Sequence, residues 1–60
     1  MNGQEVKKIR LSAHLLQKEF AQHIGVSVST VCLWESDKQN VSILNQRKII
    51  KFCEKYGIEI

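Results

Sequence analysis

The side chains best suited to metal or nucleophilic chemistry in this chain are Cys32, Cys53, His14 and His23, and their spacing organises neither. There is no CxxC pair, and the histidines are not placed four apart on one helical face, so no zinc-type ligand set forms. No G-x-S-x-G and no glycine-rich phosphate cradle is present, and a chain this short has little room for an enclosed pocket. No enzyme, metal, cofactor or small-molecule substrate is expected. The polar groups with a coherent arrangement lie instead in one window, Gln17 to Ser36, QKEFAQHIGVSVSTVCLWES. Its amides and hydroxyls can hydrogen-bond a ligand without reacting with it. The window itself is net negative, with Lys18 against Glu19 and Glu35. The cations flank it, at Lys7, Lys8 and Arg10 on one side and Lys38, Arg47, Lys48, Lys51 and Lys55 on the other.

The elements that must position these groups are helices. Sixty residues fit one small domain, 1–60, which by its size buries only about 60% of its extended surface, so a compact helical core or a dimer interface is expected. No proline and three glycines suit helices joined by short turns. Val6, Ile9, Ala13 and Leu16 recur at three and four residues and mark a buried face of a first helix over about 4–14. Gln17 to Ile24 carries Phe20, Ala21 and Ile24 on one side, and Gly25 then ends this second helix in a left-handed turn, with Val26 tucked inward behind it. Ser27 caps a third helix, Val28 to Glu35, whose inward face is Val31 and Trp34. Ser36 to Asn40 is a polar loop. Ser42 is a candidate cap, and Ile49, Ile50, Phe52, Cys53 and Tyr56 predict a fourth helix over about 45–56, closed by Gly57. Ile58 to Ile60 reads as a frayed end, a fifth turn or a short strand used in dimerisation. The fold class is therefore all-α, a bundle of four or five short helices.

A net charge of +3 and a pI near 9.1 permit a polyanionic partner without requiring one. No apolar run approaches the roughly 18 residues of a membrane span. The first residues lack the basic start and apolar middle of a secretion signal, so a reducing cytoplasm is expected, with both cysteines as free thiols.

Two short helices joined at Gly25 must cross closely, and Ala21 supplies the small side chain that the crossing needs, with Phe20, Ile24, Val26, Val31 and Trp34 buried around it. In QKEFAQHIGVSVSTVCLWE the residues Gln17, Ala21, Gly25, Val31, Trp34 and Glu35 sit at marked positions of a known pattern. The sequence over about residues 4–58 resembles the phage repressor and Cro-type (lambda-repressor-like, XRE-type) helix-turn-helix family. That resemblance implies a recognition helix beginning near Val28 that enters the major groove of double-stranded DNA. It implies phosphate contacts from Gln17 and Lys18 at the start of the second helix, and from Thr30, Lys38, Gln39 and Asn40. Arg10 and Glu35 occupy positions that in the family commonly form an ion pair across the bundle.

The helical spacing separately places Val28, Ser29, Cys32 and Leu33 off the inward face, where they can meet base edges, Ser29 by hydrogen bonding and Val28 and Leu33 on thymine methyl groups. The chain departs from the family pattern at Leu16, where a Ser or Thr cap is usual, and at Asp37, where glycine is common. The stretch from Ser42 to Ile49 is about three residues longer than usual. Val28, Cys32 and Leu33 replace polar or basic groups.

Blander assignments stand beside these. Phe20, Trp34, Phe52 and Tyr56 fall on buried faces, which favours core packing over a stacking platform. Lys48, Lys51 and Lys55 form a row of the kind usually left to solvent. Cys32 is expected to be a plain small residue rather than a tuned thiol, Cys53 a core residue, and both histidines exposed. The resulting expectation is a transcriptional regulator of the repressor or Cro kind, acting as a homodimer on palindromic DNA, with Tyr56 to Ile60 and the exposed part of the fourth helix as the contact. The alternative is a helix-turn-helix protein adaptor, such as an antitoxin or antirepressor module, favoured by the apolar outer side chains Val28, Cys32 and Leu33.

Overall fold

A computed structural model describes residues 1–59. Four helices follow one another: α1 (Gly3–Ser12), α2 (Gln17–Ile24), α3 (Val28–Glu35) and α4 (Ile43–Tyr56). Three begin on side-chain caps. The Asn2 carboxamide accepts from the Glu5 amide at 2.9 Å, while the Asn2 amide donates to Glu5 Oε1 at 2.9 Å, a reciprocal capping box. Ser27 Oγ accepts from the Thr30 amide, and Ser42 Oγ from the Asn45 amide, each at 3.2 Å. Leu16, ahead of α2, has no side-chain acceptor to offer, and only its own amide is held, by Glu19 Oε1 at 2.8 Å.

The helix ends divide into two kinds. Gly25 (φ 86°) and Gly57 (φ 66°) close α2 and α4 in the left-handed conformation that glycine adopts freely. His14 (φ 59°) and Asp37 (φ 58°) close α1 and α3 in the same conformation without being glycine. The Leu15 amide donates to Arg10 O at 3.2 Å and the His14 amide to Leu11 O at 3.0 Å. The Lys38 amide donates to Leu33 O at 3.0 Å and the Asp37 amide to Trp34 O at 3.1 Å. Both sets are Schellman closures, in which an L side chain opposes the backbone by about 1 kcal/mol.

The core is built from Val6 and Ile9 of α1, Phe20, Ala21 and Ile24 of α2, Val31 and Trp34 of α3, Val41, and Ile49, Phe52 and Cys53 of α4. α2 packs most extensively on α3, α1 also rests on α3, and α4 covers α2. Phe20 and Phe52 join α2 to α4 edge to face, with centroids 5.3 Å apart. Burial pushes the Cys53 thiol above its ordinary range, so it packs as a protonated small hydrophobe.

Several expectations are corrected. α1 runs Gly3–Ser12 rather than 4–14, because the capping box starts it earlier and the turn at His14 stops it. α4 starts at Ile43 rather than Asn45, since the Ser42 cap sets its first turn before the apolar periodicity begins. Leu16 is not on the buried face of α1: it lies beyond the helix and is 68% exposed. Ile50 and Tyr56 are exposed although they share the apolar set of α4, and Val26 is half-buried. Tyr56 lies against Phe52 at 4.7 Å and His23 at 5.6 Å between ring centroids, at the border of the core. Ile58 and Glu59 carry neither helix nor strand, and Ile60, part of the expected dimer contact, lies outside the described residues. Among the described residues no helix is long and apolar enough to cross a membrane.

Candidate nucleic-acid interface

α3 is a short helix with two unlike faces. Val31 and Trp34, three residues apart, are fully buried, and they fix the rotation of the helix about its own axis. Val28, Ser29, Cys32 and Leu33 turn away from them and are all exposed, with Val28 at 42% and Leu33 at 37%. Together with Ser36 and Lys38 they line a shallow open depression. Thr30 sits at the border, half-buried, with its hydroxyl 2.9 Å from Ser27 Oγ. Lys38 is exposed on this depression, and Lys18, Gln39 and Asn40 are exposed elsewhere on α2 and on the loop after α3.

The far end of α3 is held by charge. Arg10 Nε donates to Glu35 Oε2 at 2.7 Å and Nη2 donates to Glu35 Oε1 at 3.1 Å, a bidentate pair, while Nη1 donates to Leu15 O at 2.9 Å. Both side chains are nearly enclosed. The hydrogen bond to Glu35 raises the guanidinium pKa, against the opposing effect of burial. Gln17 completes the group: its Nε2 donates to Glu35 Oε1 at 3.2 Å, and its Oε1 accepts from Cys32 Sγ at 3.1 Å. The side chain of Gln17 is thus directed along α3 and links the first turn of α2 to the outer and inner sides of the neighbouring helix.

A second clamp has no counterpart in the sequence-based expectations. The Gly3 amide, at the positive N-terminal end of α1, donates to Asp37 Oδ1 at 2.8 Å. α1 approaches the end of α3 so closely that a Cβ at Gly3 would lie 2.5 Å from Trp34 O and 2.6 Å from Glu35 O. Asp37, where glycine is common in the resembled family, therefore holds a left-handed backbone and caps another helix at the same time. The Asn2-x-x-Glu5 spacing was the available signal that α1 starts at Gly3. Nothing local points from Gly3 to Asp37.

Two helices crossing at a left-handed glycine, with the second presenting a free outer face, define a helix-turn-helix, and a sequence profile of that family matches residues 6–60. The chain belongs to the helix-turn-helix family. It is of the lambda-repressor-like kind, and members of this family are typically DNA-binding regulators rather than enzymes. No curated protein and no solved structure gives a significant match. Within the helix-turn-helix, α2 is the first helix, Gly25 the turn and α3 the second helix, so the exposed set Val28, Ser29, Cys32 and Leu33 belongs to the element that typically addresses DNA.

Proposed function

We propose that residues 1–60 act as one DNA-binding domain of a sequence-specific transcriptional regulator of the repressor or Cro kind, working in the cytoplasm with α3 in the major groove of double-stranded DNA. The observation that carries this is the division of α3 between buried Val31 and Trp34 and exposed Val28, Ser29, Cys32 and Leu33. An α-helix fits the major groove, where the Ser29 hydroxyl can meet a base edge and Val28 and Leu33 can pack on thymine methyl groups, so T-containing steps are favoured. Cys32 adds a small contact between them.

Phosphates are met by the surrounding frame. Leu16 provides no side-chain cap, which leaves amides in the first turn of α2 open to a phosphate. The Gln17 side chain is engaged by Glu35 and Cys32, so its contact is through the backbone. Lys18, Lys38, Gln39 and Asn40 supply charge and donors, and Thr30 completes the set at the start of α3. These contacts set register, whereas sequence choice comes from α3. An eight-residue helix reads few base pairs, so two copies act together on half-sites about one helical turn apart.

The experiment is a titration of mixed-sequence duplex DNA at rising salt. Binding that weakens steeply, with a log–log slope reflecting several neutralised phosphates, is expected. Ser29→Ala should relax sequence preference, and Lys38→Ala should weaken all duplexes alike. One observation favours a second reading: the outer face of α3 carries three apolar or sulfur side chains and no cation. A protein-binding adaptor would use that face, and absence of duplex binding at low salt would select it.

A further inference from the structure

α4 has a second apolar stripe, on the side away from the core. At 3.6 residues per turn Ile43, Arg47, Ile50 and Glu54 fall within about 60° of one another, on the side away from Phe52 and Ile49, with Cys53 at the flank. All four are exposed, with Ile43 at 70% and Ile50 at 42%. Leu44, 64% exposed, lies beside the stripe together with Lys48, Lys51 and Lys55. Isoleucines seven residues apart on an outward face do nothing for the monomer's core. The charges between them are equally unused: among the described residues the only ion pair is Arg10–Glu35. Arg47 also lies towards the positive end of α4 and Glu54 in its last turn, the reverse of what the helix dipole favours, so their placement is not explained within the helix.

The stripe is complementary to itself. When two α4 helices lie antiparallel about a two-fold axis passing between residues 50 and 51, Arg47 of each copy faces Glu54 of the other, because both lie at the same distance from the axis. The two Ile50 side chains meet near the centre, and Ile43 reaches the Gly57 end of the second helix. Two ion pairs then flank an aliphatic centre over a contact about 21 Å long, the length of α4. The antiparallel arrangement also opposes the two helix dipoles favourably. We infer that α4 pairs antiparallel with α4 of a second copy of this chain, through Ile43, Ile50 and the reciprocal Arg47–Glu54 contacts.

This inference rests on the dimer of the proposed function and names its surface. The centre of this contact is Ile50, rather than Tyr56 and the chain end, because the Arg47–Glu54 pairing places the two-fold axis there. It lies on a different helix from Val28, Ser29, Cys32 and Leu33, so pairing does not use the outer face of α3. Lys48, Lys51 and Lys55 stay beside the stripe and solvated.

The test is sedimentation equilibrium of the full chain and of three variants, Arg47→Glu, Glu54→Arg and the double exchange, each first shown by circular dichroism to keep its helix content. The native chain should self-associate as a dimer. Each single variant places like charges opposite each other twice and should weaken the dimer roughly tenfold or more, and the double exchange should restore it. A native chain that stays monomeric at millimolar concentration overturns the inference, as does a dimer indifferent to both single exchanges or one the double exchange fails to rescue. Mixed-sequence duplex binding measured on the same proteins separates the two claims. A monomer that binds duplex with steep salt dependence removes the α4 pairing alone, and a dimer rescued by the double exchange that binds no duplex removes the DNA reading alone.

Discussion

The two ends of α3 are held by different physics. Its N-terminal end follows a glycine turn, is capped by Ser27 and contributes Val31 to the buried cluster that also holds Phe20, Ala21 and Ile24 of α2, all within one short stretch of sequence. Its C-terminal end is gripped by Arg10 on Glu35 and by Gly3 on Asp37, bonds that span 25 and 34 residues. Apolar packing is non-directional and tolerates small adjustments, whereas a bidentate ion pair and a helix cap hold only in one geometry. The turn end therefore sets which way α3 faces, and the charged end sets the angle at which it is presented.

Breaking the charged end should have the largest effect. Arg10→Ala leaves Glu35 enclosed without its partner and should destabilise the fold by about 3–5 kcal/mol in chemical denaturation. Replacing both partners, Arg10→Met with Glu35→Leu, should return most of that stability, because no charge is then stranded. A double variant as unstable as Arg10→Ala would show that the guanidinium's bond to Leu15 O, rather than the ion pair, holds this end. Gly3→Ala should follow at about 1–3 kcal/mol, since α1 must shift to clear the carbonyls of Trp34 and Glu35. Gly25→Ala sharpens the contrast: nothing lies within 4 Å of the added Cβ, so its effect, about 1–2 kcal/mol, comes from backbone strain alone. The two glycine variants should differ in amide spectra, with Gly3→Ala displacing signals at the end of α3 and Gly25→Ala leaving them in place.

The smallest effects concern the two left-handed residues. His14→Gly relieves the backbone and should stabilise by about 0.5–1 kcal/mol. Asp37→Gly gains the same relief but loses the carboxylate that holds the Gly3 amide, worth about 0.5–1.5 kcal/mol, so its net change should be near zero. Equal gains at both positions in thermal melts would show that the Asp37 bond contributes nothing.

These differences also explain what could be read from the sequence. The α2–turn–α3 unit was legible because its determinants are local and periodic: Gly25 ends one helix, Ser27 starts the next, and the apolar spacing picks out the buried face of each. The residues exposed on α3 follow from that spacing alone. The start of α1 is encoded in Asn2 and Glu5, one residue ahead of where the apolar pattern alone places it, and Leu16 fits that pattern by spacing although it lies beyond the helix. The turn at Asp37 is signalled only by its standing where glycine is common, and the turn at His14 only weakly, since Asp and His adopt a positive φ more readily than most residues but far less often than glycine. The Gly3–Asp37 clamp was beyond reach because only the tertiary approach of α1 to α3 creates it. Val41, buried in the loop before α4, belongs to no periodic segment at all.

The most direct measurement is the backbone amide spectrum of the isotope-labelled chain titrated with a duplex selected from a random pool. Perturbations should concentrate at Val28 to Leu33, with smaller ones at the first turn of α2 and at Lys38 to Asn40, while Val31 and Trp34 side-chain signals keep their buried environment. Perturbations confined to α1 or α4, with the amides of Val28 to Leu33 unmoved at saturation, would contradict the placement of α3 in the groove.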